Sequence, residues 1–165
     1  MEKKKQPKET DAIRKKLDSY AALQRKIDNQ IERLANLTAT MGSVSSPNFS
    51  GLPSGSGDGT SKTERQILRK MALEEKIRDM EQEERQLRRE LEALIDAMQN
   101  PDEQTVIEMR YIDRAKWWPI CAALYSMEDD YEENSSKYLK RTFKLHGSAL
   151  QSIARIYKAE TPAEA

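Results

Sequence analysis

Five of the chain's six glycines, Gly42, Gly51, Gly55, Gly57 and Gly59, crowd into one stretch with Pro47, Pro53 and many serines. Glycine and proline interrupt helices more strongly than any other residues. Such a composition cannot bury enough apolar surface to offset its own ordering entropy, so residues 42–62 read as a flexible linker. Only Gly147 lies elsewhere. Long uninterrupted helices are therefore permitted on both sides.

Both flanks carry apolar groups at heptad spacing. Residues 1–41 hold Ile13, Leu17, Tyr20, Ile27, Ile31, Leu34 and Met41, with Gln24 and Thr38 filling the two remaining steps. Residues 63–99 hold Leu73, Ile77, Met80, Leu87, Leu91, Leu94 and Met98, interrupted by Glu84. A narrow seam of period 3.5 argues for coiled-coil packing rather than a globular core. Two such helices can fold back as a hairpin or pair between chains, and the pattern leaves both open.

Residues 100–158 look different. Asn100-Pro101-Asp102-Glu103 is a helix start, with a capping side chain, proline in the first turn and acids at the positive end of the dipole. A short helix with Val106, Ile107 and Ile112 follows, then a turn over Asp113-Arg114-Ala115-Lys116. Trp117-Trp118-Pro119 opens a second short helix, where proline is tolerated only in the first turn. After an acidic loop from Glu128 to Asn134, Ser135 or Ser136 is expected to cap a final helix. Its apolar set is Leu139, Phe143, Leu145, Leu150, Ile153, Ile156 and Tyr157. Residues 159–165 are expected to fray.

Catalytic constellations are hard to assemble. There is one histidine, His146, and one cysteine, Cys121, so no disulfide framework and no cysteine-built zinc site is expected. Cys121 sits in an apolar helix, where a free cysteine behaves as a small hydrophobe. The run from Gly55 to Thr63 superficially resembles a phosphate loop but lacks a glycine before Lys62 and a strand leading in. No catalytic residue, cofactor, metal or small-molecule substrate is expected. The basic N-terminus has no apolar core behind it and the longest uncharged stretch is rich in serine and glycine, so neither a signal peptide nor a membrane span is expected. A cytoplasmic, reduced environment fits.

The balance of 28 basic and 28 acidic residues hides an uneven layout. Residues 1–40 carry a net +4, residues 101–134 carry −6, and residues 135–165 carry +4. No acid occurs between Asn134 and Ala159, while Lys137, Lys140, Arg141 and Lys144 recur at helical spacing and share one face. A basic stripe on an amphipathic helix, preceded by a turn and a short apolar helix, is the arrangement of a helix-turn-helix. The bland alternative is a solvated lysine face. The acidic loop just before that helix is expected to weaken non-specific DNA binding.

The segment from Val106 to Asp113, followed by Trp117 to Leu124 and by Leu145-His146-Gly147-Ser148-Ala149-Leu150, resembles region 4 of bacterial sigma-70-type factors. It is similar still more closely to phage late-transcription regulators of the autolysin-regulator-like group, whose Ser-Pro-Asn-containing linker is matched by Val44 to Gly51. One departure is the acidic stretch from Met127 to Asn134, which reads as an insertion in the turn. The resemblance implies that Tyr138, Lys140, Arg141 and Lys144 contact DNA bases and phosphates. It implies that Ser135, Ser136 and Lys137 serve phosphates at the helix N-terminus. It also implies a small core of Trp118, Ile120, Leu124, Leu139, Phe143 and Leu150, covered by His146. Gly147 costs on the order of 1 kcal/mol in a helix interior, and close packing against Trp117 or Trp118 is one reason that would account for it.

The expected architecture is all-α: a long helical hairpin or coiled coil, a flexible linker, and a C-terminal sigma-region-4-like helix-turn-helix. The resemblance implies a phage or prophage regulator of late-gene promoters, with double-stranded promoter DNA as partner and RNA polymerase as a second candidate. A homo-oligomer through the coil is also compatible. Two rival readings are a coiled-coil assembly protein, such as a small DNA-packaging (terminase) subunit, and a polymerase-binding adaptor that touches no DNA.

Overall fold

The computed structural model describes residues 8–42 and 61–162, and all their regular structure is helical. The linker expected over 42–62 falls almost wholly outside them. In order come α1 (Asp11–Gly42), α2 (Lys62–Asp96), α3 (Pro101–Ile107), a π-helical turn (Glu108–Ile112), α4 (Trp117–Tyr125) and α5 (Ser135–Glu160). The all-α architecture with its long paired helices stands.

Local chemistry accounts for the helix ends. At the start of α2, Ser61 and Glu64 form a reciprocal capping box: the Ser61 amide donates to Glu64 Oε2 at 2.8 Å and the Glu64 amide donates to Ser61 Oγ at 3.1 Å. Two of the first turn's orphan donors are thereby satisfied. Asn100 caps α3 as its sequence position suggests, its Oδ1 accepting from the amides of Asp102 and Glu103. The other end of that junction is tied by Gln104. Its Nε2 donates to the carbonyls of Ile95 at 3.1 Å and Met98 at 3.0 Å, closing the C-terminal turn of α2.

The chain comprises two compact units, and their boundaries cut across the long helices. One combines the chain up to Ala22 with everything from Arg85 onward; the other is Leu23–Glu84. In the first unit Ile13, Leu17 and Tyr20 of α1 and Leu91, Leu94, Ile95 and Met98 of α2 enter the same buried cluster as Ile107, Ile112, Ala149, Leu150 and Ile153. The heptad residues at the base of the two long helices are thus core residues of the C-terminal helical unit, rather than a seam of their own. Lys16 of α1 and Glu90 of α2 add an ion pair at 2.7 Å.

In the second unit the seam is shallower. Leu23, Ile27 and Ile77 are buried, while Leu34, Leu73 and Met80 are only half-buried. Two expectations shift here: Leu23 takes the seam position assigned to Gln24, and Ile31 is 45% exposed. The cause is geometric. An isolated pair of helices covers only the stripe between them, so residues at its edge stay wet.

Candidate nucleic-acid interface

The C-terminal elements hold α5 through two aromatic clusters. At the N-terminal end of α4, Trp117 packs edge-on against both Phe143 and His146, with ring centroids 5.0 Å apart in each case. The Arg110 guanidinium lies over the Trp117 ring at 4.6 Å and donates to the Ala115 carbonyl at 3.1 Å. That bond braces the turn expected at residues 113–116, where Arg114 takes a left-handed φ of 60°.

His146 covers the core as expected. Its Nε2 shares a hydrogen bond of 3.1 Å with the Tyr111 hydroxyl, and the two rings stack. Burial, reinforced by the Arg14 and Arg110 cations, lowers its pKa from 6.5 to about 4. The imidazole is therefore neutral at physiological pH and adds no positive charge to the face of α5.

The second cluster lies at the other end of α4. Tyr125 and Tyr131 both pack on Tyr138, at centroid distances of 5.2 and 5.8 Å. The Tyr138 hydroxyl donates to Asp130 Oδ1 at 2.5 Å, and Asn134 donates to the other oxygen of the same carboxylate. This bond pushes the Tyr138 hydroxyl up to about 12 and holds Asp130 below the ordinary carboxylate range. The acidic loop is consequently laced to the first turns of α5.

This packing places the expected contact residues as follows. Lys137, Lys140, Arg141 and Lys144 are all exposed and share an arc of roughly 100° on α5. The buried side of the helix, with Tyr138, Thr142, Ala149, Leu150, Ile153 and Ala154, lies opposite. Among the described residues none of the four basic groups is ion-paired with an acid. Arg141 lies over the Tyr125 ring at 5.4 Å and Lys137 over the Tyr138 ring at 5.8 Å, which orients both side chains. Ser136 is exposed and Ser135 half-buried at the helix start.

Several expectations need correction. Tyr138 is only 4% exposed, so it cannot reach a base edge; it anchors the acidic loop instead. Neither Ser135 nor Ser136 caps α5, because the helix begins at Ser135 and the cap position falls to Asn134, whose side chain is engaged by Asp130. Trp118 and Phe143 lie half in solvent at 50% and 45% exposure, whereas Ile120, Cys121 and Leu150 are buried. Leu124 and Leu139 are half-buried. A Cβ added to Gly147 would meet nothing within 4 Å, so close packing is not the reason for a glycine there. One polar pair escaped the sequence reading: Glu103 is buried and accepts a hydrogen bond from Ser148 Oγ, 45 residues away.

Residues 43–142 match the family described as protein of unknown function, DUF1492. The chain belongs to that family. The DUF1492 match runs through α2, α3, the π-helical turn, α4 and the acidic loop into α5. It includes Lys137, Lys140 and Arg141 and ends just before Phe143 and Lys144. No curated protein and no solved structure matches the chain. Among the described residues no helix is long and apolar enough to cross a membrane, and no group of three or more His, Cys, Asp or Glu side chains is arranged to hold a metal.

Proposed function

We propose that this chain is a non-enzymatic, sequence-specific binder of double-stranded DNA, acting as a phage or prophage transcriptional regulator. The observation that carries the reading is the face of α5. Four exposed basic residues, unpaired with acids among the described residues, lie opposite a buried face that fixes the helix on its unit. Phosphate binding needs such cations, and a helix held by its far side can present them to a groove. In this reading Lys140, Arg141 and Lys144 meet phosphates or base edges, while Lys137 and the backbone at Ser135 and Ser136 serve phosphates. The resemblance to sigma region 4 and to late-transcription regulators adds late-gene promoters as the target and RNA polymerase as a second partner.

Selection from a random duplex library, followed by fluorescence anisotropy at several salt concentrations, tests the proposal. The wild-type chain should enrich a sequence. The triple variant Lys140→Ala, Arg141→Ala, Lys144→Ala should lose that affinity, and its log–log salt slope should flatten by about 2 to 3, at roughly 0.9 per phosphate contact. Its helical circular dichroism should not change. Unchanged affinity in a folded triple variant would refute the assignment of α5 as the DNA-binding element.

A further inference from the structure

The unit Leu23–Glu84 contains a surface cleft of about 580 Å³ between α1 and α2. Arg33, Arg69 and Lys76 line it, over a floor that includes Leu37 and Leu73. No acidic residue lines the cleft, and none of these three cations is ion-paired among the described residues. The cleft therefore sets positive charge beside apolar surface, which fits a ligand that joins negative charge to an apolar group.

A phosphodiester backbone supplies the charge without the apolar group, whereas a peptide supplies both when acids and an apolar side chain share one short segment. The chain itself carries such a segment. Met127 is 94% exposed, and Glu128, Asp129, Glu132 and Glu133 around it are exposed and free of ion pairs among the described residues. Asp130 is the exception, being held by Tyr138 and Asn134, and these bonds keep the loop in a defined shape. A preformed loop has less ordering entropy to lose on docking.

We propose that the cleft between α1 and α2 receives the acidic loop, residues 126–134, of a second copy of this chain. Met127 enters over Leu37 and Leu73, and the flanking carboxylates pair with Arg33, Arg69 and Lys76. The contact is heterologous, joining two different surfaces. A reciprocal pair closes a dimer, and a single contact repeated along a row gives an open chain. Charge complementarity of this kind weakens as salt screens it. The contact is independent of whether α5 touches DNA.

Sedimentation velocity of the full chain, over a range of protein and salt concentrations, tests the proposal. The wild type should associate as protein concentration rises and dissociate as salt is added. The cleft variant Arg33→Glu, Arg69→Glu, Lys76→Glu should weaken association at least tenfold. So should the loop variant Glu128→Lys, Asp129→Lys, Glu132→Lys. Mixed together, the two reversed variants should associate with each other and restore the complex. Met127→Asp, which leaves the cleft untouched, should weaken it as well. Both triple variants are read against circular dichroism; should the triple cleft reversal lose helix, Arg69→Gln with Lys76→Gln replaces it. A wild type that stays monomeric, association indifferent to the cleft variants, or a mixture that fails to recover overturns the proposal. Loss of DNA affinity in the cleft variant with unaltered association overturns it in favour of a nucleic-acid groove.

Discussion

Replacing Leu17 by alanine tests whether the N-terminal helix belongs to the core of the C-terminal unit. Leu17 is fully buried, in a cluster with Leu91, Ile107, Leu150 and Ile153. Truncating a buried leucine costs about 2–5 kcal/mol, through lost transfer energy and the cavity left behind. With a urea m-value near 1.5 kcal/mol/M, a loss of about 3 kcal/mol moves the unfolding midpoint by about 2 M. Tryptophan fluorescence is the right probe, because both tryptophans, Trp117 and Trp118, lie in α4 and none lies in α1 or α2. If the core is shared, the substitution in α1 shifts a transition reported from α4 by that amount. As a control, Leu68→Ala removes a side chain that is 59% exposed in the other unit and should change stability by less than about 0.5 kcal/mol. A fluorescence midpoint unmoved by Leu17→Ala, with an earlier separate loss of helical signal, would refute the shared core.

Other consequences are smaller but equally definite. The folded state holds His146 at about 4 against 6.5 when free, so it binds fewer protons between those values. Stability should accordingly fall as pH drops from 6.5 towards 4, by about 1 kcal/mol once its partial exposure is discounted. The variant His146→Phe should flatten that part of a stability-versus-pH curve. Gly147→Ala meets open space inside a helix and should stabilise the chain by roughly 0.5–1 kcal/mol in urea unfolding. A destabilised alanine variant would show that the space around Gly147 is not open.

The features legible in the sequence are the local ones. Asn100-Pro101 marks the start of α3 because the cap and its recipients are only two and three residues apart. The turn before Trp117 and the acidic loop before α5 were readable for the same reason. The buried face of α5 is legible only in its C-terminal half, where Leu150 and Ile153 of the expected apolar set are buried and Ile156 and Tyr157 pack on the core. In its N-terminal half Leu139, Phe143 and Leu145 point to a different face, and the helix buries Tyr138 and Thr142 instead. Tyr138 and Thr142 can be buried only because their hydroxyls have partners, Asp130 in the loop and the Tyr138 carbonyl one turn back. Burial of Glu103 depends likewise on Ser148, a partner that no periodicity could have supplied. The heptads at the base of α1 and α2 misled in another way. A seam of period 3.5 specifies one apolar stripe on each helix, but not what that stripe meets, and here it meets α3 and α5 as well.

A net charge of zero removes the overall repulsion that keeps many chains apart, so unpaired patches of opposite sign are free to govern association. This chain has three: the cleft cations Arg33, Arg69 and Lys76, the loop acids around Met127, and the basic face of α5. Added salt should weaken both DNA binding and self-association, so salt alone cannot separate the two. Protein concentration can. Binding to a trace of labelled duplex follows α5, and under conditions where the chain is monomeric its affinity should be the same whether or not the cleft is reversed. Self-association without DNA follows the cleft and the loop, and neutralising Lys140 and Lys144 should leave it unchanged. If each set of substitutions disturbs both readouts equally, the patches act as one surface, and the separate roles assigned to them fail together.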